Sequence, residues 1–293
     1  MTAQYFFKPR NLPVLTCETV EAIVSAWSKG MRKVDVTLDL GLTTSLVFLS
    51  GKNVFLPNGI RMEIDNLLGL KKGYVYVVSE DGTINRLAFY SDGRYYRLRP
   101  VAPDTAPTLE ISGIHMHRVS GITPWEDADV KISCVNIRKG HVVLDVCTGL
   151  GYTAIKAVEK GAAEVVTVEK DINVLKIAEY NPWSYKLQSE KIRILPGDAA
   201  EVIREMPNNA FDRIIHDPPR LRLAGELYSE NFYKELFRVL KPGGVLFHYT
   251  GRPGWMSGKD IASGVSGRLR KAGFKTKLLR AALGVLAVKP RKP

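Results

Sequence analysis

From Val142 to the C-terminus, short apolar runs alternate with amphipathic segments, and the first run ends in a pair of closely spaced glycines. Val142–Asp145 reads as a strand, followed by Gly149-Leu-Gly151-Tyr-Thr-Ala154 and a helix, Tyr152–Lys160, stopped at Gly161. Glu164–Val168 is the next strand. Asp171 then caps a helix with Val174, Leu175 and Ala178 on one face, ended by Asn181-Pro182. Ile192–Leu195, Ala200–Glu205, Phe211–His216, Glu230–Val239 and Val245–Tyr249 continue the alternation. Phe274–Leu279 and Gly284–Val288 close it as a strand pair. Neighbouring parallel strands must be joined by crossovers, and right-handed helical crossovers cover both faces of the sheet. The order predicts an α/β fold with a doubly wound, mostly parallel sheet.

Residues 1–118 follow another pattern, which predicts a smaller β-rich domain ahead of a domain over 119–293. Thr16 caps a helix over Cys17–Ser28 that ends at Gly30, with Val20, Ile23, Val24 and Trp27 on one face. Val34–Leu40 and Ser45–Leu49 are strand candidates. Tyr74–Val78 and Ile84–Tyr90, joined at Asp81-Gly82, lead through Asp92-Gly93 into Arg94–Leu98 as a three-stranded meander. Ala102–Pro107 reads as a loop and Val119–Pro124 as a hinge. Tyr95, Arg97 and Arg99 share one strand face, either as a platform for RNA or as charges protecting an edge. His115 and His117 are read on one face of a strand near the hinge, as a base, a ligand or hydrogen-bonded interdomain histidines.

Charge narrows the partners. Of a net +12, ten units fall in Arg252–Pro293, where eleven Lys or Arg face one acid, Asp260. A basic face suits a polyanion such as RNA, although Arg268, Arg270 and Lys271 also sit where a helix C-terminus favours cations. The three cysteines, Cys17, Cys134 and Cys147, lack CxxC spacing, so no disulfide framework, zinc site or other metal centre is expected. No run approaches a membrane span, and MTAQYFFKPR lacks an apolar core before a cleavage site. No membrane partner is expected, and the expected location is the cytoplasm.

The chemistry lies at the strand ends. Asp145 stands four residues before Gly149. An acid beside a glycine turn repels a phosphate and welcomes a cation, or else caps a neighbouring turn. Glu169 ends the second strand, 18 residues past Gly151, where an acid accepts hydrogen bonds from ribose hydroxyls. Gly197-Asp198-Ala199 follows the third strand, with Asp198 able to reach an adenine amino group or to cap the next helix. Asp217-Pro218-Pro219-Arg220 follows the fourth. Its prolines stiffen the backbone and remove two amide donors, leaving carbonyls and a carboxylate to face a substrate. Leu240-Lys-Pro-Gly-Gly244 reads as a helix-to-strand turn.

In this order and spacing the motifs resemble the class I S-adenosylmethionine-dependent methyltransferases over roughly Ile122–Lys289. That resemblance implies S-adenosylmethionine as cofactor, held by Asp145, Thr148, Gly149, Gly151, Tyr152, Glu169, Asp198, Ala199 and Asp217. It implies catalytic roles for Asp217 and Pro218, with Arg220 and Tyr249 beside them, in transfer to a nitrogen acceptor on RNA. D-P-P-R is similar to uracil-5 methyltransferases of RNA. No cysteine lies between Phe211 and Pro293 to form their covalent adduct. The β-domain ahead of the cofactor domain resembles the layout of spermidine synthases, and the whole chain resembles an archaeal-type methyltransferase group related to both. Aminopropyl transfer, small-molecule or protein methylation, and a non-catalytic cofactor- or RNA-binding module are the alternatives. A nicotinamide oxidoreductase is disfavoured by Asp145.

Overall fold

The computed structural model describes residues 3–251 and 260–291. Arg252, Lys259 and Lys292 of the basic tail lie outside the described residues. The chain forms two compact units: Lys8–Trp125 with Asn173–Tyr185, and Met1–Phe7 with Glu126–Ile172 and Lys186–Pro293.

In the first unit the helix Cys17–Ser28 begins at Thr16, which accepts the Thr19 amide, and ends before Gly30 at φ 68°. Val20, Ile23 and Ala26 of this helix enter a core with Leu15, Val36, Val47, Val54, Ile64 and Tyr76. This unit holds three antiparallel sheets, of which the first two supply that core. One has the order Lys33–Val36, Ser45–Ser50, Asn53–Phe55, Arg61–Glu63, and the second the order Val14–Leu15, Tyr76–Val78, Ile84–Arg86. The third runs Ile114–His115, Thr108–Ile111, Arg94–Arg99, Ala88–Ser91.

Two expectations fail here. The single meander strand Ile84–Tyr90 is divided at Leu87, which is buried and bonds both neighbours, donating to Val75 and accepting from Leu98. Pairing changes sheets at that residue. Arg94–Arg99 is therefore an inner strand, paired with both Ala88–Ser91 and Thr108–Ile111, and has no edge to protect. Its guanidinium groups are also committed, since Arg97 and Arg99 reach the buried Glu110 carboxylate at 2.8 and 2.9 Å. His115 approaches the same oxygen at 3.2 Å. His117 lies beyond the strand, with Nδ1 3.1 Å from the Thr108 hydroxyl.

Elements from Pro124 onward are numbered by themselves, although the helix Ile172–Ala178 belongs from Asn173 on to the first unit. Helix α1 is Pro124–Val135, β1 Val142–Val146, α2 Tyr152–Glu159, β2 Glu164–Glu169, α3 Ile172–Ala178 and β3 Ile192–Pro196. The order continues with α4 Ala199–Val202, β4 Phe211–His216, α5 Glu230–Val239, β5 Leu240–Tyr249, α6 Ile261–Lys271, β6 Lys275–Leu279 and β7 Gly284–Val288. The sheet order is β3-β2-β1-β4-β5-β7-β6, parallel from β3 to β5 and antiparallel at β7 and β6. The α/β fold with its mostly parallel sheet and its extra β-rich N-terminal part is as the sequence predicts. Strand order reverses between β1 and β4, and in such sheets the ligand crevice opens beyond the carboxyl ends at that switch.

Helix α5 shows how this sheet is covered. Ser229 accepts the Phe232 amide at 3.1 Å, and Phe232, Tyr233, Leu236 and Val239 turn into the core. The Leu240–Gly244 turn expected after it is present, inside the span of β5. Leu240 pairs with Phe211 and Val245 with Arg213, so residues 241–244 loop out opposite Asp212, with Gly243 at φ 79° and its amide on the Lys289 carbonyl. Among the described residues no helix is long and apolar enough to cross a membrane.

Candidate active site

Backbone geometry makes the turn after β1. Cys147, Gly149 and Gly151 all have positive φ, at 72°, 54° and 78°. A Cβ at Gly151 would collide with the side chain of Leu187, which is itself 1% exposed. The chain therefore turns tightly into α2, whose first residue, Tyr152, is buried.

Carboxylates surround this turn. Glu169 at the end of β2 accepts the Gly149 amide on Oε2 at 2.9 Å and the Asp171 amide on Oε1 at 3.0 Å. Burial pushes Glu169 up to about 7, against the pull of those two amides. Asp145 is 1% exposed and accepts from Thr153 on one oxygen at 2.8 Å and Thr167 on the other at 2.7 Å. Thr148 is buried and lies 2.7 Å from the Thr167 hydroxyl, so it belongs to this layer behind the turn. Burial lifts Asp145 to about 7 as well. Asp198 caps α4 through the Ala200 amide at 2.9 Å, while its other oxygen meets Lys170 at 2.7 Å. Ala199 is buried beside it.

Asp217 follows β4, its amide bonded to the Val146 carbonyl. Pro218 is buried and Arg220 exposed, and Tyr228 donates to the Pro219 carbonyl at 2.9 Å, tying the proline loop down. Asp217 does not stand alone. Lys131 of α1 places Nζ 2.6 Å from Asp217 Oδ2, 2.7 Å from Asp127 Oδ2 and 4.1 Å from the Tyr249 ring centre. Lys131 and Asp127 are each 3% exposed as side chains and Asp217 is 19%. Burial alone would lower Lys131, but the two carboxylates outweigh it and hold the ammonium above its ordinary range. Burial raises Asp217, with Lys131 pulling against it.

The structure thus brings Asp217 and Tyr249 together around Lys131, sets Gly149 against Glu169, and holds Asp145 on Thr153 and Thr167. Arg220 meets no carboxylate among the described residues. Sequence reasoning missed Lys131 because helix α1 lay between the hinge and the first strand and was not read. The available signals were Pro124 at a helix start, acids in the first turn, and Asp127 with Lys131 at i and i+4.

The donor set fits S-adenosylmethionine. A glycine turn made for phosphate leaves its amides open to an anion, whereas the Gly149 amide is met by a carboxylate. Acids at the ends of β1, β2, β3 and β4 suit a ligand carrying an ammonium, a sulfonium, ribose hydroxyls and an adenine amine. No group of three metal-ligating side chains occurs among the described residues.

Basic residues of the tail divide into two sets. Arg270, Lys271, Lys275, Lys277 and Arg280 are exposed, with Lys275 and Lys277 on the edge strand β6. Lys289 is structural, donating to the Phe237 and Leu240 carbonyls at 2.7 Å and to Asn209 at 2.8 Å.

Residues 128–249 match the family model described as Conserved hypothetical protein 95. An uncharacterized protein of Methanocaldococcus jannaschii is 45% identical over 284 residues, 94% of this chain and 96% of that one. Ribosomal RNA large subunit methyltransferase I of Aeromonas hydrophila is 29% identical over 133 residues, 43% of this chain but only 34% of that enzyme. A spermidine synthase solved with a transition-state analogue matches with a TM-score of 0.56 at 20% identity, over 76% of this chain and 80% of that one. At that identity the likeness speaks for the fold.

Proposed function

The chain belongs to the class I S-adenosylmethionine-dependent methyltransferases, in a branch related to spermidine synthases, and shares a family with the uncharacterized M. jannaschii protein; from that membership we propose that it methylates a nitrogen of RNA. When bound, the cofactor supplies a methyl group on a cationic sulfonium. The observation that carries the reading is the carboxylate of Glu169 on the Gly149 amide, a turn closed to phosphate and suited to ribose hydroxyls. Asp217 and the stiff Pro218-Pro219 backbone orient an amino acceptor, and Tyr249 and Arg220 flank it. Asp145 acts from behind the turn as a buried acid bonded to Thr153 and Thr167.

Binding tests this directly. Calorimetry should show S-adenosylmethionine bound and NAD not bound, with Glu169→Ala weakening the cofactor by about 1–3 kcal/mol. Because ribose hydroxyls donate to an ionised carboxylate, affinity should also fall as pH drops through about 7, where Glu169 gains a proton. The loss should approach about tenfold per pH unit for one group. Tight NAD binding with no response to S-adenosylmethionine defeats the reading.

RNA as the acceptor rests on the basic face of α6 and β6. Each phosphate contact should contribute about −0.7 to −0.9 to the log–log slope of affinity against salt. Replacing Arg270, Lys271, Lys275 and Lys277 by Gln should flatten that slope and leave cofactor affinity unchanged. If RNA binds no better than a neutral polymer in filter-binding assays, the acceptor is not RNA. Aminopropyl transfer is the weaker alternative, because Lys131 neutralises part of the acid pair a polyamine ammonium would need.

A further inference from the structure

We propose that Lys131 is a positioning residue for the transfer: held between Asp127 and Asp217 against the Tyr249 ring, it fixes Asp217 by one oxygen and leaves the other for the acceptor nitrogen. This rests on the nitrogen-methylation reading.

The ammonium has three partners within reach, a carboxylate oxygen of each aspartate and the face of the Tyr249 ring. Taking a lysine out of water is costly, and apolar residues of similar size would stabilise a helix packed here at least as well. The arrangement instead does something for Asp217. Two carboxylates and one ammonium leave one negative charge. Asp127 is almost wholly enclosed, whereas Asp217 retains some exposure. Among the described residues Asp217 Oδ1 makes no hydrogen bond. The surplus charge is therefore presented at Oδ1, which accepts an N–H and selects an amino nitrogen over an acceptor without hydrogens.

In the reaction the nitrogen lone pair forms the new N–C bond, and the C–S electrons remain on sulfur. The proton then shed by the methylated nitrogen passes to Asp217 Oδ1 and on to water. The groups around this carboxylate are Lys131 and Asp127 from α1, Asp145 and Cys147 from β1 and its turn, Tyr228 before α5 and Tyr249 on β5.

The test uses opposite signs. In the full-length enzyme with S-adenosylmethionine held saturating at every pH, the acid limb of kcat/KM for unmethylated RNA should follow the ionisation of Asp217. Lys131→Met should move that limb toward higher pH by about 1–3 on the pH scale. Asp127→Asn should move it toward lower pH, and Lys131→Arg should restore its position. Carbon-13 NMR of the Asp217 carboxyl should show the same three directions without substrate. If Lys131→Met does not fold, Asp127→Asn with Lys131→Gln removes the charges together and should still raise the limb. Folded variants whose limbs coincide with wild type overturn the positioning role, even where the NMR midpoint moves. A wild-type enzyme that methylates no nitrogen defeats the underlying reading instead, and the inference with it.

Discussion

Asp217→Asn is expected to slow methyl transfer by about a hundredfold or more, the lower range for losing a positioned acid–base group, with cofactor affinity nearly unchanged. The reason lies in Lys131. Its ammonium can only donate, so the oxygen of the new amide must face it, 2.6 Å away in the native pair. The amide NH2 is then turned toward the acceptor. A donor meets a donor where a carboxylate oxygen had accepted, so the nitrogen lone pair is no longer aimed at the methyl group. The side chain keeps its shape, and fold and cofactor pocket should survive. Initial rates with radiolabelled cofactor, beside calorimetry on the same preparation, separate the two effects. A variant retaining wild-type kcat would remove Asp217 from the path of transfer.

The same carboxylate shows what a sequence discloses and what it withholds. Asp145, Glu169, Asp198 and Asp217 were legible because each stands at the end of an apolar run, and in a parallel sheet those ends converge on one crevice. The state of each carboxylate was not legible. Asp145 spends both oxygens on Thr153 and Thr167, eight and twenty-two residues away in the chain. Lys131 lies 86 residues from Asp217, in a helix whose charged pair reads as a solvated surface. A lysine is so seldom buried that burial is inferred only after its partners are seen. The basic strand face in the first unit failed in the converse way. Arg97 and Arg99 alternate as a platform would, and only the pairing of Thr108–Ile111 with their strand brings Glu110 against them. Local periodicity identifies faces, whereas long-range pairing decides which charges on those faces remain available.

Gly151→Ala should be the most damaging single methyl in the cofactor turn. Two costs meet there. Holding an alanine at φ 78° costs about 1–2 kcal/mol, because its Cβ crowds the following carbonyl. Its methyl also runs into the side chain of Leu187, which is 1% exposed. Overpacking of that kind adds about 1–3 kcal/mol. The sum should appear as a lower urea midpoint at unchanged slope, together with weaker cofactor binding as the turn opens. The two costs can be separated with Leu187→Ala. Alone it leaves a cavity and costs about 2–5 kcal/mol. Combined with Gly151→Ala, the space vacated by the leucine accepts the new methyl, and the pair should be less unstable than the two single changes added together. What persists in the double variant is the backbone strain and the part of the leucine cavity that one methyl does not fill. Simple additivity would mean that the turn is held by its dihedral angles and that Leu187 plays no part in shaping it.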